Sequence, residues 1–257
     1  MLDISNNLLS AKNINKSFGA VIAANDVNID IKKGEKVSLI GSNGAGKTTF
    51  MNMVTGYLKP DTGNIYFKGE EITKLNPRII TQKGISRSFQ IPQIFEPMSA
   101  WENLLVAIGT SKQKNSFFKD ARSKDNARYI DEMLERFSLN EFAYRQVSEL
   151  PGGVRKLLDI AMALVRKPDI LLLDEPTSGV GAEEKYPLMN TIAKALSGED
   201  LTVIFVEHDM DIVQNYSDRI IAFYQGAVIA DGNNQEVLND KKVQEYVTGK
   251  TLVKAKS

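Results

Sequence analysis

The chain contains Gly41-Ser42-Asn43-Gly44-Ala45-Gly46-Lys47-Thr48, which matches the pattern GxxxxGK[ST] without a gap. A short apolar strand is predicted before it at residues 36–40, and a helix after it at residues 47–55. Glycines let the backbone curl so that successive N–H groups face phosphate oxygens, and the helix N-terminus adds its positive end. Lys47 then reaches the β- and γ-phosphates, and Thr48 offers a hydroxyl to Mg²⁺. A glycine-rich turn with a chance lysine is the alternative, and the flanking strand and helix argue against it.

The composition of the 257-residue chain excludes several classes of protein. Thirty-two Lys and Arg balance 32 Asp and Glu, so no whole-chain basic field is present and nucleic acid is not expected as a partner. Cysteine is absent and there is one histidine, which excludes disulfides, thiol nucleophiles and a multi-histidine metal site. No apolar run approaches the roughly 20 residues that span a bilayer, and residues 1–10 lack a signal-peptide pattern, so a soluble protein is expected.

A second functional position is predicted where an apolar strand ends. Residues 170–173 are Ile-Leu-Leu-Leu and run directly into Asp174 and Glu175. A buried strand delivers Asp174 to the edge of a sheet, where it can hold Mg²⁺ through water. Glu175 is then expected beside the γ-phosphate, where it orients or deprotonates the attacking water. Taken alone, the pair equally fits a strand that ends in surface acids, and the phosphate loop upstream favours the functional interpretation.

The order of predicted elements indicates an α/β fold with an inserted helical segment. Strand candidates fill the first third, helices the middle third, and near-continuous apolar strands return in the last third. We expect a mainly parallel core sheet with an antiparallel β portion. Residues 1–90 and 166–257 are predicted to form this core, and residues 91–165 a helical subdomain inserted in it.

Further motifs, in order along the chain, make the sequence resemble ABC-type ATPases. Leu150-Pro151-Gly152-Gly153-Val154 resembles the LSGGQ signature at the start of a helix. Gln90 resembles the Q-loop glutamine, His208 the switch histidine and Phe18 the adenine-stacking aromatic. The resemblance covers about residues 8–231, and it implies the P-loop nucleotide-binding fold of that family, with ATP and Mg²⁺ as ligands and ATP hydrolysis as the activity.

The resemblance also implies roles for individual residues. Those expected to act in hydrolysis are Glu175, His208, Gln90 and Lys47, and those expected to hold the metal are Thr48, Gln90 and Asp174. The residues expected to bind ATP are Phe18, Gly41, Ser42, Asn43, Gly44, Ala45, Gly46, Lys47, Thr48, Thr49, Gly152 and Gly153. A histidine after a strand and an aromatic at a strand end also occur as ordinary turn and core residues, so His208 and Phe18 keep that alternative.

Within the family, the chain is similar to ATP-binding subunits of importers for branched-chain (hydrophobic) amino acids. The similarity lies in Ser86-Arg87-Ser88-Phe89-Gln90, Ile94-Phe95-Glu96-Pro97-Met98 and Glu102-Asn103-Leu104-Leu105-Val106, and in a short C-terminal helix expected within residues 242–249. Importers for urea or another small solute share much of this pattern, and lipopolysaccharide exporters are near relatives. The solute and the direction of transport therefore stay open.

The resemblance implies partners as well as chemistry. Two such subunits sandwich two ATPs, and the signature of one contacts the γ-phosphate held by the phosphate loop of the other. The sandwich drives two membrane permease subunits, with an extracytoplasmic solute-binding protein acting through them, and the chain is expected peripherally at the cytoplasmic face of the inner (cell) membrane. Residues 91–98 are candidates for the groove that receives a permease helix, with ordinary loop packing as the alternative.

Three positions depart from the family pattern: Pro151 replaces the usual Ser, Val154 the usual Gln, and Gly181 a common Asp. Pro151 has neither a hydroxyl nor a backbone N–H to offer a phosphate, although the two following glycines keep their amides. Losing one donor to a charged group costs about 1.5–3 kcal/mol, enough to weaken one ATP site tenfold or more. The similarity to this importer subgroup, in which two different ATPase subunits usually pair, implies a heterodimer in which one composite ATP site is weaker than the other. A homodimer is the alternative, as is a signature variant that is fully competent.

Rival functions are an exporter motor of the same fold, a soluble ATPase switch acting on nucleic acid or ribosomes, and a non-catalytic nucleotide-binding module. The zero net charge and the lack of a second ATPase core or a long coiled coil argue against the soluble switch. Intact Lys47, Asp174, Glu175 and His208 argue against the non-catalytic module.

Overall fold

A computed structural model describes residues 7–111, 123–198 and 200–249. The chain forms two compact units, one of residues 1–81 and 202–257 and the other of residues 82–201. These bounds differ from those of the predicted core and insert, and the predicted division stays a prediction.

The elements of the described residues are the following. The strands are β1 (Leu9–Phe18), β2 (Val21–Ile31), β3 (Lys36–Ile40), β4 (Thr62–Phe67), β5 (Glu70–Glu71), β6 (Ile85–Ser88), β7 (Ile170–Asp174), β8 (Thr202–Val206), β9 (Arg219–Tyr224) and β10 (Ala227–Asn233). The helices are α1 (Lys47–Val54), α2 (Pro77–Lys83), α3 (Ala100–Ser111), α4 (Lys124–Arg136), α5 (Gly152–Leu164), α6 (Ala182–Ala195), α7 (Met210–Tyr216), α8 (Asn234–Asn239) and α9 (Lys241–Tyr246).

The first unit contains an antiparallel sheet with the strand order β2-β1-β4-β5. Strands β1 and β2 form a hairpin in which Phe18 pairs with Val21, so that Gly19 and Ala20 make the turn. Gly19 has a φ of 59°, which suits the tight two-residue connection. The predicted antiparallel β portion is therefore confirmed.

The first unit also contains the strands β10, β9, β3 and β8 side by side in that order. Strand β3 pairs in parallel with both β8 and β9, and only β10 runs antiparallel to its neighbour. Leu39 lies opposite Val206. The segments that follow β3 and β8 therefore leave the sheet at the same edge, where ligands bind in open parallel sheets.

The second unit pairs β6 and β7 in parallel, with Ser88 opposite Leu173. All five residues of β7 are buried, as its apolar sequence predicts. The chain segments after β6 and after β7 leave the pair at the same end. This places residues 89–90 close to residues 174–175 although they are far apart in sequence.

Helices pack around this strand pair in the second unit. Ser123 caps α4 by accepting a hydrogen bond from the backbone N–H of Asn126, and Ile130, Met133 and Leu134 form its buried face. Helix α5 starts directly after Pro151 and buries most of its second and third turns. The α/β class with a mainly parallel core and an antiparallel portion is confirmed.

Within the described residues, no helix is both long enough and apolar enough to cross a bilayer.

Candidate nucleotide-binding site

The phosphate loop joins β3 to α1 in a conformation that needs glycine. Gly41 and Gly46 have φ values of 151° and 110°, in the left-handed region. A Cβ on Gly46 would lie 2.5 Å from the carbonyl oxygen of Ala23, and a Cβ on Gly41 would lie 2.5 Å from that of Phe223. Both distances are shorter than real Cβ contacts, so only glycine fits at these two positions.

Lys47 is held inside this loop. Its side chain is only 5% exposed. Its Nζ donates hydrogen bonds to the carbonyl oxygens of Gly41 at 2.6 Å and Ser42 at 3.1 Å. A buried ammonium tied to the loop that the motif assigns to phosphates is a preformed anion contact, because phosphate oxygens can take over from the carbonyl oxygens.

The loop and the helix that follows it combine a buried anchor with an exposed polar surface. At the helical end, Phe50 is buried and its ring lies 5.9 Å from that of Phe223. Several residues that the sequence assigns to ATP are solvent-accessible, both in the loop and in the first turn of α1: Ser42, Asn43, Gly44 and Thr48 are exposed and Thr49 is half-buried. A rigid base beneath an open polar rim suits a triphosphate, which needs N–H groups and an ammonium without a closed cavity.

Asp174 is the last residue of β7 and Glu175 follows it, and each has a partner in β6 or in the segment after β6. Asp174 is 5% exposed, and its Oδ2 accepts a hydrogen bond from Nη2 of Arg87 at 2.5 Å. Oε2 of Glu175 accepts a hydrogen bond from Nε2 of Gln90 at 2.7 Å. The structure thus brings together two of the predicted catalytic side chains, Gln90 and Glu175, and adds Arg87, to which the sequence analysis assigned no role.

Glu175 has a φ of 47°, which is unusual for a residue with a side chain. Such a conformation costs about 1–3 kcal/mol and persists where the surroundings determine it. Here it turns the chain immediately after the buried strand and directs the carboxylate toward Gln90.

Helix α5 contacts the residues that follow β6. Lys156 donates from Nζ to the carbonyl oxygens of Phe89 at 3.1 Å and Gln90 at 2.7 Å. Asp159 accepts hydrogen bonds from Oγ of Ser88 at 2.5 Å and from the backbone N–H groups of Phe89 at 3.1 Å and Gln93 at 2.9 Å. Burial raises the pKa of the Asp159 carboxyl above its ordinary value, although these hydrogen bonds work in the opposite direction. Neither Lys156 nor Asp159 belongs to a sequence motif that predicts this contact.

The predicted signature glycines begin α5. Pro151 is its N-cap residue with a φ of −56°, and no side chain caps the helix there. Gly152 lies at the exposed N-terminus, where the first backbone N–H groups have no partner within the helix. A cavity of about 210 Å³ lies beside it, and its lining includes Gln90, Ile91 and Gly179.

Two predicted site residues lie at strand ends of the first unit. His208 follows β8 and is exposed, and its backbone N–H donates to Oε2 of the buried Glu207 at 3.2 Å. Because β8 and β3 are parallel neighbours, His208 lies at the sheet edge that also carries the phosphate loop. Phe18 ends β1 with 51% of its surface exposed, and Nζ of Lys16 lies 5.5 Å from its ring centroid. An exposed ring is not a core residue, so the ordinary core interpretation of Phe18 loses support.

The predicted metal ligands carry oxygen atoms of a kind that suits Mg²⁺. Among the described residues, no group of three or more His, Cys, Asp and Glu side chains could hold a metal by itself. The hydroxyl of Thr48, the carboxylate of Asp174 and the amide oxygen of Gln90 are oxygen ligands of the kind that Mg²⁺ prefers, and Mg²⁺ usually completes its shell with phosphates and water.

The chain is similar to known proteins along nearly its whole length. Its residues 24–178 match the ABC transporter family. It is 37% identical to the high-affinity branched-chain amino acid transport ATP-binding protein BraF of Pseudomonas aeruginosa, covering 96% of this chain and 99% of that protein. It is also 37% identical to the corresponding protein LivG of Escherichia coli K12, covering 93% of this chain and 97% of that one.

Solved structures show the same fold. A nucleotide-free ATP-binding cassette from an ABC transporter is 34% identical with a TM-score of 0.81, over 93% of this chain and 98% of that chain. A dimeric ATP-binding cassette in a post-hydrolysis state, bound to ADP and phosphate, is 26% identical with a TM-score of 0.76, over 88% of this chain and 98% of that chain. The family and fold predicted from the motifs are thereby confirmed: the chain is a member of the ABC transporter family and has its ATP-binding cassette fold.

Proposed function

We propose that the chain is the ATP-hydrolysing subunit of an importer for branched-chain or related hydrophobic amino acids. The observation that carries the ATPase assignment is the buried Lys47 ammonium inside a loop where only glycine fits, together with the Gln90–Glu175 pair after the parallel strands. The relatives BraF and LivG, matched over almost their full lengths, support the amino-acid transport assignment.

The residues divide the chemistry between them. Lys47 and the loop N–H groups bind the β- and γ-phosphates, while Phe18 supports the adenine ring. Thr48, Asp174 and Gln90 would hold Mg²⁺, which supplies charge neutralisation on the phosphate oxygens when bound. Glu175 orients the attacking water and accepts its proton, and His208 donates a hydrogen bond toward the γ-phosphate.

The carboxylate of Glu175 can be held by Gln90 and still accept a proton from water. In this structure its carboxylate accepts a hydrogen bond from Gln90. The hydrogen bond from Gln90 engages Oε2 alone, so it holds Glu175 in place and occupies only part of the accepting capacity of the carboxylate.

The proposed assembly has two ATPase subunits and two membrane permeases at the cytoplasmic face of the cell membrane, served by an extracytoplasmic solute-binding protein. Gly152 and Gly153 at the N-terminus of α5 would meet the γ-phosphate bound by the other ATPase subunit. The dimeric cassette among the related structures supports such a pairing. A different second subunit is proposed from the similarity to importers that pair two different ATPase subunits, and the ATP site that Pro151 faces would then lack one N–H donor.

Affinity purification of the tagged chain from native membranes tests this proposal. We expect two permeases, a second ATPase and a solute-binding protein to co-purify, and the recovered binding protein to bind leucine, isoleucine or valine. Preference of that protein for urea or another solute would overturn the amino-acid assignment alone. Recovery of only soluble partners, from a sample shown to retain intact complexes, would overturn the transport assignment.

A further inference from the structure

Helix α5 grips the segment that carries Gln90 at two positions one turn apart. Lys156 donates to the carbonyl oxygens of Phe89 and Gln90, at 3.1 and 2.7 Å. Asp159 accepts from three donors in residues 88–93, at 2.5, 3.1 and 2.9 Å. Residues three apart on a helix share one face, so both side chains act on the same segment from the same side. We call this pair, Lys156 and Asp159, the α5 clamp.

Burial makes the α5 clamp stiff. Lys156 is 2% exposed and Asp159 is 5% exposed. A buried charge is costly unless hydrogen bonds compensate it, so releasing either side chain from the segment would leave an unsatisfied ionic group. Hydrogen bonds that involve a charged partner are also roughly twice as strong as neutral ones. Residues 88–93 should therefore follow any displacement of α5.

The same segment ends in a contact with the catalytic carboxylate. The backbone carbonyl of Gln90 is held by Lys156, and its side chain donates to Glu175 at 2.7 Å. Helix α5 begins at Gly152, one turn before Lys156. A continuous series of contacts thus runs from the N-terminus of α5 to Glu175 inside a single chain.

We propose that the α5 clamp makes Lys156 and Asp159 positioning residues, which couple the position of α5 to the Gln90–Glu175 pair. The inference rests on the proposed function, in which the N-terminus of α5 meets the nucleotide of the other ATPase subunit. The nucleotide state of one site then sets how Glu175 is held in the other. Neither residue touches ATP in this scheme, because both act through Gln90.

The first experiment measures ATP turnover of the intact transporter carrying Lys156→Met. We expect kcat to fall roughly 10- to 100-fold while KM for ATP changes less than about threefold, because the phosphate loop is untouched. Lys156→Arg keeps a charged donor, so the fall in its log kcat should be at most half of the fall in Lys156→Met. Lys194→Met makes the same chemical change at an exposed position of α6 and should match the wild type.

The second experiment places Lys156→Met in a Gln90→Ala background and compares single-turnover rates. If Lys156 acts through Gln90, the double variant should be no more than about twofold slower than Gln90→Ala alone. Multiplication of the two losses would overturn the proposal, as would an unchanged kcat in Lys156→Met.

Two safeguards keep these outcomes distinct. If Lys156→Met does not assemble, Asp159→Asn takes its place, with Asp131→Asn on the exposed face of α4 as the matched control. Asp159→Asn should then lower kcat, and it should cause no further loss in a Gln90→Ala background. An unchanged kcat, or a further loss in that background, overturns the proposal. A wild-type transporter without ATPase activity would instead refute the proposed function. The coupling is measured as a change in kcat relative to the wild type, so it can be tested only when the wild type is active.

Discussion

The phosphate loop and the carboxylate edge of β7 are built in opposite ways. The loop is contiguous: residues 41–48 supply both the glycines and the ammonium that they surround. The edge is assembled from three segments that are distant in sequence: β6 and the residues after it, α5, and the end of β7. They supply, in that order, Arg87 and Gln90, Lys156 and Asp159, and Asp174 and Glu175. The loop is therefore suited to binding, while the edge depends on the tertiary structure and can change with it.

The largest expected effect is on the rate of ATP hydrolysis, and it comes from a substitution at the carboxylate edge that leaves ATP binding intact. Glu175→Gln keeps the size and the hydrogen-bonding ability of the side chain but removes the proton acceptor. We expect ATP turnover of the assembled transporter to fall about 10²- to 10⁴-fold, with ATP affinity retained. Glu183→Gln, at an exposed position in the first turn of α6, should leave turnover unchanged. Full turnover in Glu175→Gln would remove Glu175 from its proposed role.

A second test of the edge concerns stability, because its ion pair is buried. The Arg87 and Asp174 side chains are 5% and 6% exposed. Arg87→Met leaves Asp174 without this partner, and breaking a buried pair in this way costs about 3–5 kcal/mol. Urea unfolding of the purified chain measures the loss.

A matched ion pair at the surface provides the control for Arg87→Met. Arg128 and Asp125 lie 3.3 Å apart with side chains 74% and 89% exposed. Arg128→Met should change the free energy of unfolding by less than about 0.5 kcal/mol. Equal losses for the two arginine variants would show that the edge does not depend on its ion pair.

Substitutions in the phosphate loop should change the affinity for ATP. Gly46→Ala places a Cβ 2.5 Å from the carbonyl oxygen of Ala23 and forces an alanine to a φ of 110°. The loop must shift, and we expect the Kd for ATP to rise at least about tenfold. Gly69→Ala also has a positive φ, of 77°, but its Cβ would meet nothing within 4 Å, so only a small loss of stability is expected there. Unchanged nucleotide affinity in Gly46→Ala would contradict the preformed cradle.

The same contrast explains how much could be predicted from the sequence. The loop, its strand and its helix were predictable because the pattern is local and each residue type has one conformational reason to be there. The end of β7 was predictable because a run of apolar residues stops at two acids. Gln90 and His208 were proposed only through resemblance, since neither has a local pattern that requires its role.

Arg87, Lys156 and Asp159 left no such signal. Their hydrogen bonds join residues 66 to 87 positions apart, and they exist because β6 pairs with β7 and α5 packs beside them. A charged residue in a strand or a helix normally indicates a solvated face, so the sequence alone favours the wrong surroundings for all three. The left-handed φ of Glu175 is likewise set by its surroundings and not by its residue type.

The smallest expected effect lies at Pro151, the N-cap residue of the helix that carries Lys156 and Asp159. Pro151→Ser adds a backbone N–H and a hydroxyl at the N-cap of α5, where no side chain caps the helix now. We expect turnover of the assembled complex to rise by up to about tenfold, because in the proposed assembly one more donor would face the phosphate bound by the second subunit. Pro151→Ala separates the two additions, since it supplies the N–H without the hydroxyl. A rise in both variants assigns the effect to the backbone donor, and a rise in Pro151→Ser alone assigns it to the cap. If neither variant raises turnover, the proline is compatible with a fully competent site and the argument for unequal ATP sites fails.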